Sequence, residues 1–377
     1  WERPKWFPTV AGLPQEDVVA FRHTDWFEPV REEVRAVRER VAILDSTAFA
    51  KFDLVGPDAA MVLDHLTTNT VPNVGRIGLT YTLTPSGRIE GEMTAARLAE
   101  DHLYLVSAAL GEQKDREYFE THWPKGADAE LRVVSGDLGV ITLVGPLTRQ
   151  LLERVTDADL SNDGFRWLSA QHITVAGIEA RALRVGFVGE LGWELHITTD
   201  DLGAVYDALW EAGADLGIAN AGNHALDSLR MEKSYMISRD LTHDINPDEA
   251  GLHPFVKTDH AKKGDFVGRD ALLARRAAAE SGEQPYRWQL TYLAVDTGVS
   301  DVHGSDAVYV DPSECPIGLV TTGGYGYTVE QGLAFAYLAP EYAEPGTELF
   351  VRVVGEFRPA RVLGEPIYDP SSSRLRM

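Results

Sequence analysis

The chain carries one cysteine, so it can form no internal disulfide and build no cysteine zinc site. That residue, Cys315, sits in the turn-like run Glu-Cys-Pro-Ile-Gly and is assigned no chemistry. Its isolation fits a reducing compartment, here the cytoplasm. Basic residues are scarce: 35 Lys and Arg face 58 Asp and Glu, giving a net charge of −23. A field of that sign repels phosphate backbones and anionic lipid heads, which makes nucleic acid and membrane surfaces poor partners. Long apolar runs are also missing. Nowhere do about 18 such residues follow one another, so no segment reads as a membrane-spanning helix. The opening Trp1-Glu2-Arg3-Pro4-Lys5-Trp6-Phe7 lacks the apolar core of a secretory signal and an initiator methionine. It points to a chain that was processed, trimmed or cut from something longer.

Several motifs are absent as well. No Gly-x-Gly-x-x-Gly occurs, so the chain has no dinucleotide fingerprint of its own. There is no phosphate-binding Gly-x-x-x-x-Gly-Lys-Ser/Thr loop, no His-Glu-x-x-His and no Gly-x-Ser-x-Gly. The 11 histidines show no pair at helical ligand spacing, so a metal site has no support.

What is present is an ordinary globular composition, 44% hydrophobic and 25% charged, over 377 residues. At about 100–200 residues per domain, that length allows two or three domains. Residues 53–67 and 142–156 form an internal repeat. Each reads as a strand, a Gly-Pro break (Gly56-Pro57, Gly145-Pro146) and a short helix whose first turn suits the proline. Strand-like runs follow each unit, at 79–83, 92–98 and 103–107, then at 172–175, 179–185 and 193–197. Each half then has a helix, at 111–121 and 201–212. In the latter, Leu202, Val205, Tyr206, Leu209 and Trp210 share one face and read as core. Without strict strand–helix alternation, this pattern predicts two related α+β subdomains rather than a doubly wound sheet. Helices are expected at 222–240 and 268–279. Beyond them the texture changes to short β runs at 288–295, 307–310, 318–322, 333–337 and 349–354, the pattern of a small barrel or sandwich. The boundary falls at about 282–286 and divides the chain into 1–283 and 284–377.

Three segments carry candidate chemistry. In Thr84-Pro85-Ser86-Gly87-Arg88-Ile89-Glu90-Gly91-Glu92-Met93, a turn feeds a strand with Glu90 and Glu92 on one face. An inward acid there is desolvated and suited to acid–base work, whereas on an edge strand both acids face water. In Gly186-Phe187-Val188-Gly189-Glu190-Leu191-Gly192-Trp193-Glu194, three glycines let the backbone approach a flat ligand held by Glu190. The same run also fits a hairpin with a core tryptophan. Arg230, on a helix among apolar neighbours in Asp227-Ser228-Leu229-Arg230-Met231-Glu232, needs either an internal carboxylate or a ligand.

In their order along the chain these segments resemble the glycine-cleavage T-protein (aminomethyltransferase) family. The resemblance begins near Val41-Ala42-Ile43-Leu44-Asp45 and continues through the Glu190, Arg230 and Asp265-Phe266-Val267-Gly268-Arg269 segments. The tail is similar to the tetrahydrofolate-binding C-terminal half of dimethylglycine and sarcosine dehydrogenases. That similarity rests on Thr322-Gly323-Gly324-Tyr325-Gly326-Tyr327, Glu344-Pro345-Gly346-Thr347-Glu348-Leu349 and Glu365-Pro366-Ile367-Tyr368-Asp369-Pro370. Trp1-Glu2-Arg3-Pro4 resembles the join between the flavin and folate halves of those enzymes.

The resemblance implies a folate-binding fold of interleaved, internally repeated α+β subdomains with a C-terminal β-barrel, and tetrahydrofolate in a central channel. It implies that Glu92 is catalytic, that Tyr81 lines the channel, that Glu190 holds the pterin ring and that Arg230 lies near the folate. Glu92 stands where the family has an aspartate, and Ser107-Ala108-Ala109 where it has an asparagine. The implied activity is transfer of a one-carbon unit from an N-methyl amine, such as dimethylglycine or sarcosine, to tetrahydrofolate. Oxidation would belong to a flavoprotein partner or an N-terminal flavin half. A stand-alone tetrahydrofolate-dependent demethylase and a non-catalytic folate-binding module are the alternatives.

Overall fold

The computed structural model describes residues 2–8, 18 and 20–377, and Trp1 of the flavin-junction motif lies outside them. One antiparallel sheet has five strands in the order Ile77–Leu83, Ile89–Ala99, His102–Ser107, Ala50–Val55 and Glu130–Val133. A second has six, in the order Ala219–Asn220, Ala42–Asp45, Leu138–Val144, Gly192–Thr198, Ile178–Leu183 and Ala170–Val175. Ala42–Asp45 precedes the whole five-stranded sheet in sequence yet pairs with Leu138–Val144 in the other, so the two halves interleave.

Strand alternation gives each sheet two working faces. Phe52, Leu54, Met93, Ala95, Leu103 and Leu105 pack on helices Ala59–Leu66 and Glu112–His122. Leu143, Trp193, Leu195 and Ile197 pack on helices Thr148–Leu152 and Leu202–Ala212. The remaining faces meet each other through Ile77, Ala96, Tyr104 and Val106 on one side and Ala170 and Leu183 on the other. The result is a helix–sheet–sheet–helix sandwich whose middle layer mixes apolar and polar side chains. In Leu202–Ala212, Val205 and Leu209 enter the core, but Trp210 lies exposed at the rim, stacked on Tyr206.

The repeat has a backbone cause. Gly56 and Gly145 adopt φ of +129° and +124°, respectively. A Cβ would lie 2.6 Å from the Asp128 carbonyl oxygen at Gly56, and 2.5 Å from that of Arg40 at Gly145. Only glycine fits either corner. The prolines sit just before the helix caps Asp58 and Leu147 rather than in the first turn. Gly145→Ala should therefore destabilise the protein by more than about 1 kcal/mol, read as a lower urea midpoint.

Six strands close the barrel: Gln289–Val295, Gln331–Leu338, Gly318–Gly326, Ala307–Tyr309, Glu348–Val353 and Glu356–Leu363. Glu356–Leu363 was not expected from the sequence, because Pro359 and three charges obscure its alternation. A two-residue turn, Val354-Gly355, folds it back, both residues having positive φ. Two other elements depart from expectation. Helix Phe27–Glu39 buries Val30, Val34 and Val37 along one stripe, a spacing the sequence does show. The helix expected over 222–240 spans only Asn223–Glu232, ending before Ser234 at φ +52°.

Candidate active site

The middle layer holds the chemistry. On strand Ile89–Ala99, Met93 and Ala95 point to the helices, so Glu92, Thr94 and Ala96 face the second sheet. Glu90 is the extra residue of a bulge opposite Thr82 and Leu83, which breaks the alternation expected to put it on one face with Glu92. Tyr81 lies directly across from Glu92, and its buried phenol donates a 2.7 Å hydrogen bond to Glu92 Oε2. Burial pushes the Glu92 carboxyl up to about 7, against the pull of the Tyr81 bond and with a further push from Asp240. The side chain is nonetheless only half-buried: walled by protein, it keeps an open side. Glu90 differs. It is met by His243 Nδ1 at 3.3 Å and Lys114 Nζ at 3.8 Å, whereas Glu92 has no cationic partner among the described residues.

Asp240 is fully buried and organises the neighbouring wall. Its carboxylate accepts from Ile237 N at 2.9 Å, from Thr322 Oγ1 at 2.7 Å and from Thr321 Oγ1, which ties the barrel to this turn. Its other partner is Arg230, whose Nη1 lies 3.3 Å from Asp240 Oδ2 and 3.1 Å from the Tyr235 carbonyl. Of the two expected partners, the internal carboxylate is the one present, on Nη1. A buried guanidinium is costly unless paired, and the pairing shapes the loop beside Glu92.

Glu190 also departs from its expected place. It is wholly buried, and both of its oxygens are taken. Arg38 Nη1 at 3.1 Å and the Tyr368 hydroxyl at 2.6 Å engage Oε1, and Arg374 Nε at 3.2 Å engages Oε2. The flanking Gly189, at φ +82°, makes room for Lys233, whose side-chain carbons lie 2.5 Å from where a Cβ would sit. Gly189 thus admits a lysine stem, Gly192 lets the neighbouring strand approach at Leu143 and Val144, and Trp193 is core.

Glu194, four residues on, faces the middle layer. Trp193, Leu195 and Ile197 occupy the opposite parity, so Glu194 and His196 project toward the five-stranded sheet. Its side chain is 12% exposed, and its one polar partner among the described residues is His196 Nε2, 3.4 Å from Oε2. The parity was legible in the sequence, whereas the proximity of Asp240 to Glu92 was not. Among the described residues, no group of three or more His, Cys, Asp or Glu could hold a metal ion.

Comparison with known proteins places this arrangement. Residues 1–260 match the GCVT N-terminal domain, and residues 289–369 match the glycine cleavage T-protein C-terminal barrel domain. The chain belongs to the glycine cleavage T-protein family. It is therefore an enzyme of a folate-dependent aminomethyltransferase family. It is 32% identical over 345 residues to the aminomethyltransferase of Anoxybacillus flavithermus, covering 91% of each chain. It is 35% identical over 380 residues to human mitochondrial dimethylglycine dehydrogenase, covering all of this chain but 43% of that protein. It likewise spans less than half of the Paenarthrobacter nicotinovorans 4-methylaminobutanoate oxidase (formaldehyde-forming), at 35% identity. In fold it matches the glycine cleavage system aminomethyltransferase T of Bartonella henselae, with a TM-score of 0.79 at 22% identity over 91% of this chain and 90% of that one. No helix among the described residues is long and apolar enough to cross a membrane.

Proposed function

We propose that this chain transfers a one-carbon unit from an N-methyl amine, such as dimethylglycine or sarcosine, to tetrahydrofolate, with Glu92 as its catalytic carboxylate. One observation carries the reading: an acid held near 7 by burial, bonded to Tyr81 and half-buried, on the strand face turned toward the second sheet. Tetrahydrofolate, as co-substrate, supplies the nucleophilic nitrogen that accepts the carbon. The chain's own residues supply the rest. Glu92 takes up the proton released from that nitrogen and stabilises a cationic donor, and Tyr81 fixes the carboxylate's orientation. Enclosure between the sheets keeps water from an electrophilic carbon.

Glu194, rather than Glu190, is the acid that accepts from the pterin ring. Its carboxylate reaches the gap with an oxygen to spare, and that of Glu190 does not. A flat ring bearing N–H donors would meet Glu92 on one sheet and Glu194 on the other. Residues 1–283 form the folate-binding part and residues 284–377 the barrel, in keeping with a helix that ends at Glu280 and a first barrel strand that starts at Gln289. Oxidation of the amine falls to a flavoprotein, as a partner or as an N-terminal half. The dehydrogenase relative is more than twice as long, and this chain has no dinucleotide motif. A cytoplasmic, reducing setting fits the lone exposed Cys315.

The test is product analysis with tetrahydrofolate and methylated donors, with and without an amine-oxidising flavoprotein. Formation of 5,10-methylenetetrahydrofolate only when the flavoprotein is present is the expected result. Formation of 5-methyltetrahydrofolate without it would make the chain a direct demethylase, and no product in either arm would leave a folate-binding module.

A further inference from the structure

Tyr104 and His196 come from different sheets and meet in the middle layer, both fully buried. The Tyr104 hydroxyl lies 2.8 Å from His196 Nδ1, the rings edge-on at 5.2 Å. This nitrogen is the phenol's one hydrogen-bond partner among the described residues, and a buried O–H donates rather than go unsatisfied. Nδ1 is therefore the acceptor. In a neutral imidazole the proton then sits on Nε2, the nitrogen that faces Glu194 Oε2 at 3.4 Å. The charge state agrees. Burial lowers the His196 pKa, with Lys51 and Arg181 adding to the effect and Glu194 opposing it. Burial also keeps the Tyr104 phenol protonated. A directional chain thus runs from Tyr104 through His196 to Glu194, crossing from one sheet to the other.

We propose that His196, oriented by the Tyr104 hydroxyl, is a positioning residue that holds Glu194 Oε2 and so presents Oε1 to the folate ring. The proposal rests on the reading of Glu194 as the ring's acceptor. Among the described residues His196 is the one polar partner of Glu194: strand Gly192–Thr198 fixes its Cα, but a glutamate keeps three rotatable bonds unless a partner limits them. The tie links the two halves, because Tyr104 stands on the five-stranded sheet, as does Glu92.

The experiment measures the affinity of the full chain for 5-methyltetrahydrofolate by calorimetry, in the wild type and in Glu194→Gln, Tyr104→Phe, His196→Phe and His196→Gln. Melting curves accompany each variant. Glu194→Gln is expected to weaken binding at least tenfold, and Tyr104→Phe and His196→Phe about tenfold each. His196→Gln should stay within about threefold, because its amide oxygen can accept from Tyr104 while its amide N–H donates to Glu194. Adding Tyr104→Phe to Glu194→Gln should cost nothing further, as expected for residues acting through one another. In 15N spectra, the His196 Nδ1 should show the shift of an unprotonated, hydrogen-bonded ring nitrogen in the wild type and move downfield, to that of an unbonded one, in Tyr104→Phe. Wild-type affinity in Tyr104→Phe, with Glu194→Gln weakened, overturns the positioning role and leaves Glu194 in place. Wild-type affinity in Glu194→Gln overturns the reading of Glu194 and this proposal with it. If His196→Phe fails to fold, Tyr104→Phe and His196→Gln, both nearly isosteric, decide the matter.

Discussion

Glu92→Gln should lower turnover by about 10²–10⁴-fold, the range for loss of a positioned acid–base group, while folate affinity stays within a few-fold. Glutamine matches the size of glutamate and can still accept from Tyr81, so the surroundings keep their shape and lose only a proton acceptor. In the wild type, the carboxylate is the competent form. With the carboxyl pushed up to about 7, kcat should rise with pH through that value, and the step should vanish in Glu92→Gln. Stability carries an independent signature. The folded protein holds the Glu92 proton from about 4.5, the ordinary value, up to about 7, so folding stability contributed by this group declines as pH rises through that window. Glu92→Gln removes the decline: equal to the wild type near pH 5, it should be at least as stable at pH 8. A variant that turns over normally would move the chemistry away from this acid. Failure of the variant to bind folate would mean that Glu92 holds the ligand rather than acting on it.

Arg38→Ala should unfold the protein more readily than any other single change considered, by about 3–5 kcal/mol. Arg38 is buried and donates to Glu190 Oε1, to Glu232 Oε2 at 2.7 Å and to the Val188 carbonyl at 2.7 Å. Its guanidinium also lies 3.8 Å from the ring centre of Tyr368. Alanine leaves two fully buried carboxylates without their shared cation, and the desolvation already imposed on them goes uncompensated. Helix Phe27–Glu39, loop 186–192, helix Asn223–Glu232 and the tail at Tyr368 all meet at this residue, so the loss should appear as one lowered urea midpoint rather than a local melting. Combining Arg38→Met with Glu190→Gln and Glu232→Gln should recover much of the stability, since neutral groups need no counter-charge. A midpoint shift worth less than about 1 kcal/mol for Arg38→Ala would show that Arg374 and Tyr368 suffice to hold Glu190.

Much of the architecture was legible in the chain. The six strand runs that follow the repeated units and the helix after each half appear where periodicity put them, because alternating burial leaves a period of two in the residues themselves. The same rule explains the misses. Glu356–Leu363 closes the barrel with Arg358, Pro359 and Arg361 along it, so its inward residues are too few to register a pattern. Glu92 was visible as an acid alternating with Glu90, but a bulge at Glu90 and the packing separate them, one across from Tyr81 and the other between His243 and Lys114.

By itself, the sequence determined the α+β class, the internal repeat with its two strained glycines, the β-rich tail and the family. Each depends on residues near one another in the chain, or on motifs kept in order along it. The partners of buried charges were decided only by the tertiary structure. Arg230 goes to Asp240, Glu190 goes to Arg38 and Arg374, and Glu194 is left facing the gap. These pairings span from 10 to more than 180 residues of chain. A buried charge takes whichever partner the fold brings within reach, and sequence spacing carries no record of that distance.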